Sequence, residues 1–406
     1  MRIIKNSKWV MRLMIVAVIF CLAGSLGALA QEYLDYEAYT PDLEMPPSSC
    51  EGTLRVYTWA SYEDPGLWDA GTYAFHKLYP NVNIEWAFYT DFDSALAKMT
   101  ADPIFADVVL LDSTVPKLWK DLIGPLDRDL IPLFDETYPQ LQNLESMWLD
   151  GELYFMPEEF GNGVVIYRED VLDELGIPEE DRYDYNMLFK SYEGKLKDKV
   201  LYYDSSTESL AFAILAAGLP FGIMFTDMTE EQKDIIRAKF REGKANVKGY
   251  WTGFEEGYEV LVTGEAPIVT GWQSTYFYAR TGPDFILGTE DDIPVKIMRA
   301  KQGIMGWIDG WSIRKGLKEE NPDLYKIAHA YINATIDREA GAYKTDWWAT
   351  GSPNMYSAAL VESQDTVKEL NLDDPNKAFA GVNMWKYSTP EQTKIISELW
   401  LELKAE

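Results

Sequence analysis

Residues 53–111 read TLRVYTWASYEDPGLWDAGTYAFHKLYPNVNIEWAFYTDFDSALAKMTADPIFADVVLL, and this stretch decides the fold. Short stretches at 54–57, 82–86 and 107–111 predict strands, the last of them wholly apolar after Asp107. The segments between them predict helices, one over 65–79 and one starting over 93–99. Strands alternating with helices imply a parallel sheet covered on both faces, hence an α/β protein.

Working outward, 163–167 and 267–270 also read as strands, and 230–241 and 323–336 as helices. No internal repeat or low-complexity tract appears. Glu290-Asp291-Asp292 reads as a solvated acidic loop. Upstream, 31–52 is polar, proline-bearing and aperiodic, as expected of a flexible leader. Before it, Arg2, Lys5, Lys8 and Arg12 flank an apolar run over 13–23, and Ala28-Leu29-Ala30 is a small-x-small cleavage site. Residues 1–30 therefore read as a secretory signal peptide, too short in its apolar run to span a membrane. Cys21 follows the bulky Phe20, which argues for a soluble rather than a lipid-anchored product. Export leaves Cys50 as a lone thiol, so no intramolecular disulfide staples the fold.

With 406 residues, 47% of them hydrophobic, the chain holds enough apolar surface for two domains. Its net charge is −29; without the four basic residues of 1–30 it becomes 33 basic against 66 acidic side chains, or −33. Such a field repels nucleic acid and favours cations, although an acidic surface kept for solubility explains the same number.

Enzyme signatures are missing. The sequence lacks a Gly-x-Ser-x-Gly elbow, a phosphate loop ending in Lys-Ser/Thr and a His-Glu-x-x-His pair. His76 and His329 stand alone in helical stretches and read as structural. Four separated segments instead place aromatic residues beside carboxylates or hydroxyls: Trp59 to Tyr62, Thr207 with Glu208, Trp272 to Phe277, and Trp307 with Asp309. This is the chemistry of a pocket for an aliphatic cation, whose ammonium needs a carboxylate partner and whose charge and methylenes suit aromatic faces. The plainer reading, in which the tryptophans are core and Glu208 is a first-turn helix acid, uses the same residues.

The order of these landmarks resembles the periplasmic spermidine/putrescine-binding proteins of ABC transporters, within the extracellular solute-binding proteins. Tyr57-Thr58-Trp59-Ala60-Ser61-Tyr62 is similar to that family's first-strand motif. Asp107-Val108-Val109-Leu110, followed by Asp112-Ser113-Thr114, is similar to its third strand and serine-bearing loop. Met156-Pro157 to Tyr167 is similar to its hinge-crossing segment. Gly271-Trp272-Gln273 and Gly303-Ile304 through Trp307-Ile308-Asp309 match its later aromatic and acidic motifs.

The resemblance implies a two-lobe clamshell, each lobe a mostly parallel sheet flanked by helices, with several hinge crossovers. Lobe 1 is expected to hold 53–157 and 309–338, and lobe 2 158–308 and 339–406. It implies no cofactor, no catalysis, a monomer in the periplasm, and delivery of the ligand to a membrane permease. The expected ligand contacts are Trp59, Tyr62, Asp112, Ser113, Glu208, Trp272, Trp307 and Asp309, with Asp309 pairing with an amine and Trp272 and Trp307 packing on its methylenes. The chain departs from the pattern at Ser61, Ser205, Ser352 and Lys386. Asp112 and Glu158 or Glu159 are candidates to replace lost charge. A sugar, another amine or ferric iron is the alternative ligand; for iron, Tyr276 and Tyr278 are the suggestive pair, read as one face of a strand.

Overall fold

The computed structural model describes residues 45–60, 70–90, 92–284 and 288–406. The expected signal peptide, most of the leader, Ser61 and Tyr62 lie outside the described residues.

The described strands are β1 Gly52–Trp59, β2 Val82–Tyr89, β3 Val108–Asp112, β4 Ile123–Gly124, β5 Trp148–Leu149, β6 Glu152–Leu153, β7 Met156–Arg168, β8 Val200–Tyr203, β9 Val247–Trp251, β10 Ile268–Trp272, β11 Val295–Ile297, β12 Ile304–Arg314 and β13 Val382–Met384. The principal sheet runs β2-β1-β3-β12-β7-β10-β8-β9. Its two ends are parallel: β2, β1 and β3 on one side, β10, β8 and β9 on the other. Its middle is not. β12 runs antiparallel to both β3 and β7, and β7 runs antiparallel to β10. The expected parallel sheet is thus divided by two long strands, β7 of 13 residues and β12 of 11, that join the two ends in opposite directions.

Each end buries its own core. The first gathers Leu54, Val56, Val108, Leu110, Met156, Trp311 and Ile313 under the helix Pro322–Thr335, which contributes Ile327 and Tyr331. Ala342, Ala358, Val361, Val367 and Leu372 join this first core. At the other end, Val165, Tyr167, Val200, Tyr202 and Ile268 pack with Phe212 of the helix Ser206–Ala216 and Trp400 of the helix Pro390–Ala405. The opposite face of that end is covered too: Val164, Ile166 and Val269 pack with Trp251 and Phe277. Successive residues of β7 therefore feed alternate faces, both buried, as expected of a sheet covered on both sides.

Two buried acids at the first end have cationic partners. Asp107 accepts hydrogen bonds from the Arg55 guanidinium at 2.7 and 2.9 Å and from Arg314 Nε at 3.1 Å. Glu158 is ion-paired with the buried Lys344, which also donates to the Thr335 carbonyl. Both acids matter below as a contrast.

Candidate functional site

The middle of the sheet concentrates acid. Asp112 ends β3; pairing register sets Asp309 of β12 opposite it, and Glu159 of β7 opposite Asp309. Directly opposed residues on antiparallel strands share a face, so three carboxylates stand in a row across β3, β12 and β7. Like charges in that position destabilise a sheet. A register shift at this point pairs Asp309 with Glu159 and Gly310 with Pro157, so Glu158 has no partner residue on β12 and is held by Lys344 instead, while Glu159 stays in the row.

Trp59, at the end of β1, donates its indole N–H to Asp309 Oδ2 at 3.0 Å and packs its ring 4.6 Å from that of Tyr89. The Thr114 N–H donates to Asp112 Oδ1 at 2.7 Å, and the Ser113 N–H to the Ile308 carbonyl at 2.7 Å, which ties the end of β3 to β12. Burial, followed by the charges of Asp112 and Glu159, pushes the Asp309 carboxyl well above the usual carboxylate range. Burial likewise raises Asp112 to about 6, against the opposing Thr114 hydrogen bonds, and Glu159 to about 7.

A second acid arrives from the other end. Ser205 caps the helix Ser206–Ala216 by accepting the Glu208 N–H at 3.3 Å, which fixes Glu208 in the first turn. Its carboxylate then accepts the Trp272 indole N–H at 3.1 Å. The remaining oxygen, Oε2, is buried without a hydrogen-bond partner and sits beside Gly163, 3.4 Å from where a Cβ would stand. Burial raises Glu208 to about 7 and the charge of Asp112 adds to it, so the two acids feel one another across the junction of the two ends. Trp272 lies near-parallel to Phe254, 6.3 Å away, with Tyr203 against its edge at 4.7 Å. Trp307, two residues before Asp309 and hence on its face, covers Gly161, where a Cβ would meet the indole at 2.2 Å. The buried Trp307 Nε1 has no partner.

No ion pair among the described residues reaches Asp112, Glu159, Glu208 or Asp309, unlike Asp107 and Glu158. Nor, among those residues, is any group of three His, Cys, Asp or Glu side chains drawn together closely enough to hold a metal ion. What these residues form is a set of desolvated acids walled by tryptophan, an arrangement that can satisfy the hydrogen-bond donors of a cation.

Of the residues expected at a site, Trp59, Asp112 and Asp309 stand together, with Ser113 adjoining through its backbone. Glu208 and Trp272 form the second group, and Trp307 lies beside the row over Gly161. Tyr62 is outside the described residues. Glu159 was expected only as an alternative to Glu158, and the register shift of β7 against β12 gives the two different partners. Ser352 is buried in a turn, its hydroxyl accepting from Ser357 Oγ and the Asn354 N–H. Lys386 is exposed, next to Trp385, which is buried against Phe221 and Phe225. Tyr276 and Tyr278 belong to the helix Gln273–Arg280, not to a strand, and diverge: Tyr276 packs in the core with Phe277, while Tyr278 stacks near Trp348 at 6.0 Å. The paired-tyrosine argument for iron fails with the strand.

Residues 73–372 match the family model of bacterial extracellular solute-binding proteins. No curated protein matches the chain. Among solved structures, the spermidine/putrescine ABC transporter substrate-binding protein PotD of Streptococcus pneumoniae is 16% identical, with a TM-score of 0.68 over 87% of this chain and 99% of its own. The periplasmic binding protein MotA of A. tumefaciens B6, in complex with glucopine, is 14% identical, with a TM-score of 0.63 over 87% of this chain and 99% of its own. The maltose-bound MalE3 of T. maritima is 12% identical, with a TM-score of 0.65 over 87% and 95%. These likenesses establish the periplasmic-binding-protein fold. No helix among the described residues is long and apolar enough to cross a membrane. A family match spanning most of its length, on that fold, makes the chain a member of the bacterial extracellular solute-binding protein family.

Proposed function

We propose that this solute-binding protein captures an aliphatic polyamine cation of the putrescine or spermidine kind in the periplasm and delivers it to a membrane permease. One observation carries the reading: Asp112, Glu159, Glu208 and Asp309 are desolvated around tryptophans with no cation of the chain's own. Buried acids elsewhere in the same sheet are paired, so the unpaired set is a place prepared for charge from outside. The likeness to PotD of Streptococcus pneumoniae, named for spermidine and putrescine, agrees with it.

In this reading lobe 1 holds 53–157 and 309–338, with 342–372 added by its packing in the first core, and lobe 2 holds the rest of the mature chain. β7 and β12 are the crossings. Trp59, Asp112, Ser113 and Asp309 face Glu208 and Trp272 across the junction, and Trp307 covers the ligand's methylenes. The closed, occupied state is what the permease distinguishes from the empty one.

Calorimetric titration of the ligand-stripped protein with putrescine, cadaverine and spermidine, beside maltose, tests this. One-site amine binding at micromolar affinity or better, about −8 kcal/mol, is expected. Binding of maltose with silence toward every amine would move the protein to the sugar ligands named for its fold neighbours.

A further inference from the structure

The last helix of the chain, Pro390–Ala405, holds none of the expected ligand contacts, yet it grips the turn from which Glu208 is presented. β8 ends at Tyr203, and Asp204-Ser205 leads from it into the helix Ser206–Ala216. Ser205 caps that helix through the Glu208 N–H. The Tyr203 carbonyl closes the turn, accepting the Ser205 N–H at 2.8 Å and the Ser209 hydroxyl at 2.6 Å. Where this turn stands decides where the Glu208 carboxylate stands.

Asp204 anchors the turn from outside. Its N–H donates to the Trp251 carbonyl at 2.8 Å, and its Oδ1 accepts the Trp400 indole N–H at 2.9 Å. Lys404 donates to both Asp204 oxygens at 2.7 Å, and its ammonium lies 5.3 Å from the Tyr250 ring and 5.8 Å from the Trp400 ring. Exposed ion pairs contribute little because two long side chains must be held in one geometry. This pair, 24% and 23% exposed, is narrowed to one geometry by two oxygens and two aromatic rings. The last turn is itself fixed. Lys244 donates to the Leu403 and Lys404 carbonyls at 2.8 and 3.3 Å, as suits a cation at a helix C-terminus, and the Arg237 guanidinium holds Glu402 at 2.8 and 3.0 Å.

We infer that Lys404 is a positioning residue for ligand binding: through Asp204 it fixes the turn that aims the Glu208 carboxylate at the ligand, and it touches no ligand itself. This rests on the amine reading above. A binding group works only while its supporting contacts hold it to within about 0.5 Å of the productive place. Residues remote from a ligand that bias such a supporting element change affinity about two- to thirtyfold.

The test is calorimetric titration with putrescine of the parent, Lys404→Met, Lys404→Arg, Glu208→Gln and the double variant Lys404→Met/Glu208→Gln. Lys404→Met keeps the apolar stem and removes the charge, and is expected to weaken binding about three- to thirtyfold. Lys404→Arg restores a partner for Asp204 and is expected to stay within about twofold of the parent. In the Glu208→Gln background Lys404→Met is expected to cost less than about twofold, because the contact it positions is already gone. A purely structural role lowers the melting temperature and leaves affinity alone; a Lys404→Met protein with parental affinity therefore overturns the inference. An equal loss in both backgrounds overturns it too, since Lys404 would then act without Glu208. Should Lys404→Met fail to fold, Asp204→Asn, which keeps an acceptor for Trp400, carries the same expectations. A parent that binds no amine overturns the polyamine reading and this role with it; a parent that binds putrescine, matched by Lys404→Met, overturns the positioning role alone.

Discussion

Two neighbouring glutamates show how far one position decides a role. Glu158 and Glu159 are indistinguishable by composition, yet the register shift of β7 against β12 gives one a lysine and sets the other in line with two more acids. Breaking the Glu158–Lys344 pair with Lys344→Met leaves a buried charge alone, and a loss of about 3–5 kcal/mol in urea unfolding is expected. Asp309→Asn is expected to do the opposite. It relieves repulsion, so the ligand-free melting temperature holds or rises, while amine affinity falls about tenfold to a hundredfold, a hydrogen bond to a charged group contributing about 1.5–3 kcal/mol. Calorimetry and thermal melting on the same sample separate the two effects. The row also sets a pH dependence. Asp112, raised to about 6, and Glu159 and Glu208, raised to about 7, hold protons in the folded, empty protein that the unfolded chain releases near pH 4. Their contribution to stability is therefore fully present below about pH 4 and is lost as pH rises through about 7. A cation reverses the preference by favouring the ionised forms. Putrescine affinity should climb between pH 5 and 8 with proton release, visible as a binding heat that varies with the ionisation enthalpy of the buffer. A pH-independent affinity would remove these carboxylates from the ligand's contacts. Trp59, Trp272, Trp307 and Asp309 were legible as residues because aromatic and acid stand close in sequence. Glu159 was not, because the row is built by strand pairings over separations of about 150 and 200 positions, Asp309 with Glu159 and Asp309 with Asp112.

At the scale of elements, β1, β2 and β3 read correctly because their apolar runs are bounded by turns, and the helices Glu230–Glu242 and Pro322–Thr335 because their caps and periodicity agree. β7 was legible only over its last residues. Its first half carries Pro157, two glutamates and Gly161, a composition that speaks against a strand until β12 pairs with it. Gly161 on β7 and Gly310 on β12 have a purpose that becomes visible only with the two strands paired. Gly161 leaves room for the Trp307 indole, and Gly310, just past the register shift, approaches Met156 so closely that a Cβ would stand 2.3 Å from its carbonyl. Gly161→Ala should therefore displace the Trp307 ring at a cost of about 1–3 kcal/mol in stability, and weaken amine binding without altering any charge. The check is tryptophan fluorescence together with titration; an unchanged emission and affinity would show that Trp307 does not cover the ligand. The helix Gln273–Arg280 was misread for a related reason. Aromatic residues at 276 and 278 mimic strand alternation, while the Arg280–Glu369 ion pair at 3.0 Å and the Gln273 side-chain bond to the Ala349 carbonyl that anchor the helix are tertiary.

For the whole molecule, the informative fact is that acids from both ends of the sheet act on each other. Asp112 belongs to the strand set of the first core, and Glu208 to the helix packed in the second; yet the charge of Asp112 raises the Glu208 carboxyl. That coupling depends on the two bodies being held together and on the region between them being poor in water. Two-lobe organisation was readable from the order of the sequence motifs; the mutual approach of these two acids was not, because it depends on how β7 and β12 run antiparallel between the ends. A double-mutant cycle reads it directly. Asp112→Asn and Glu208→Gln are each expected to raise the melting temperature of the empty protein, and the double variant should gain less than the sum, a non-additivity of about 0.5–3 kcal/mol. With saturating putrescine the sign should reverse, because each variant then loses a contact to the bound cation and the mass-action stabilisation by ligand shrinks. Additivity in both conditions would mean that the two carboxylates do not share a ligand, and a cation bridging the two ends would be ruled out. Coupling in the empty protein that survives unchanged in the occupied one would mean that the acids meet but the amine lies elsewhere.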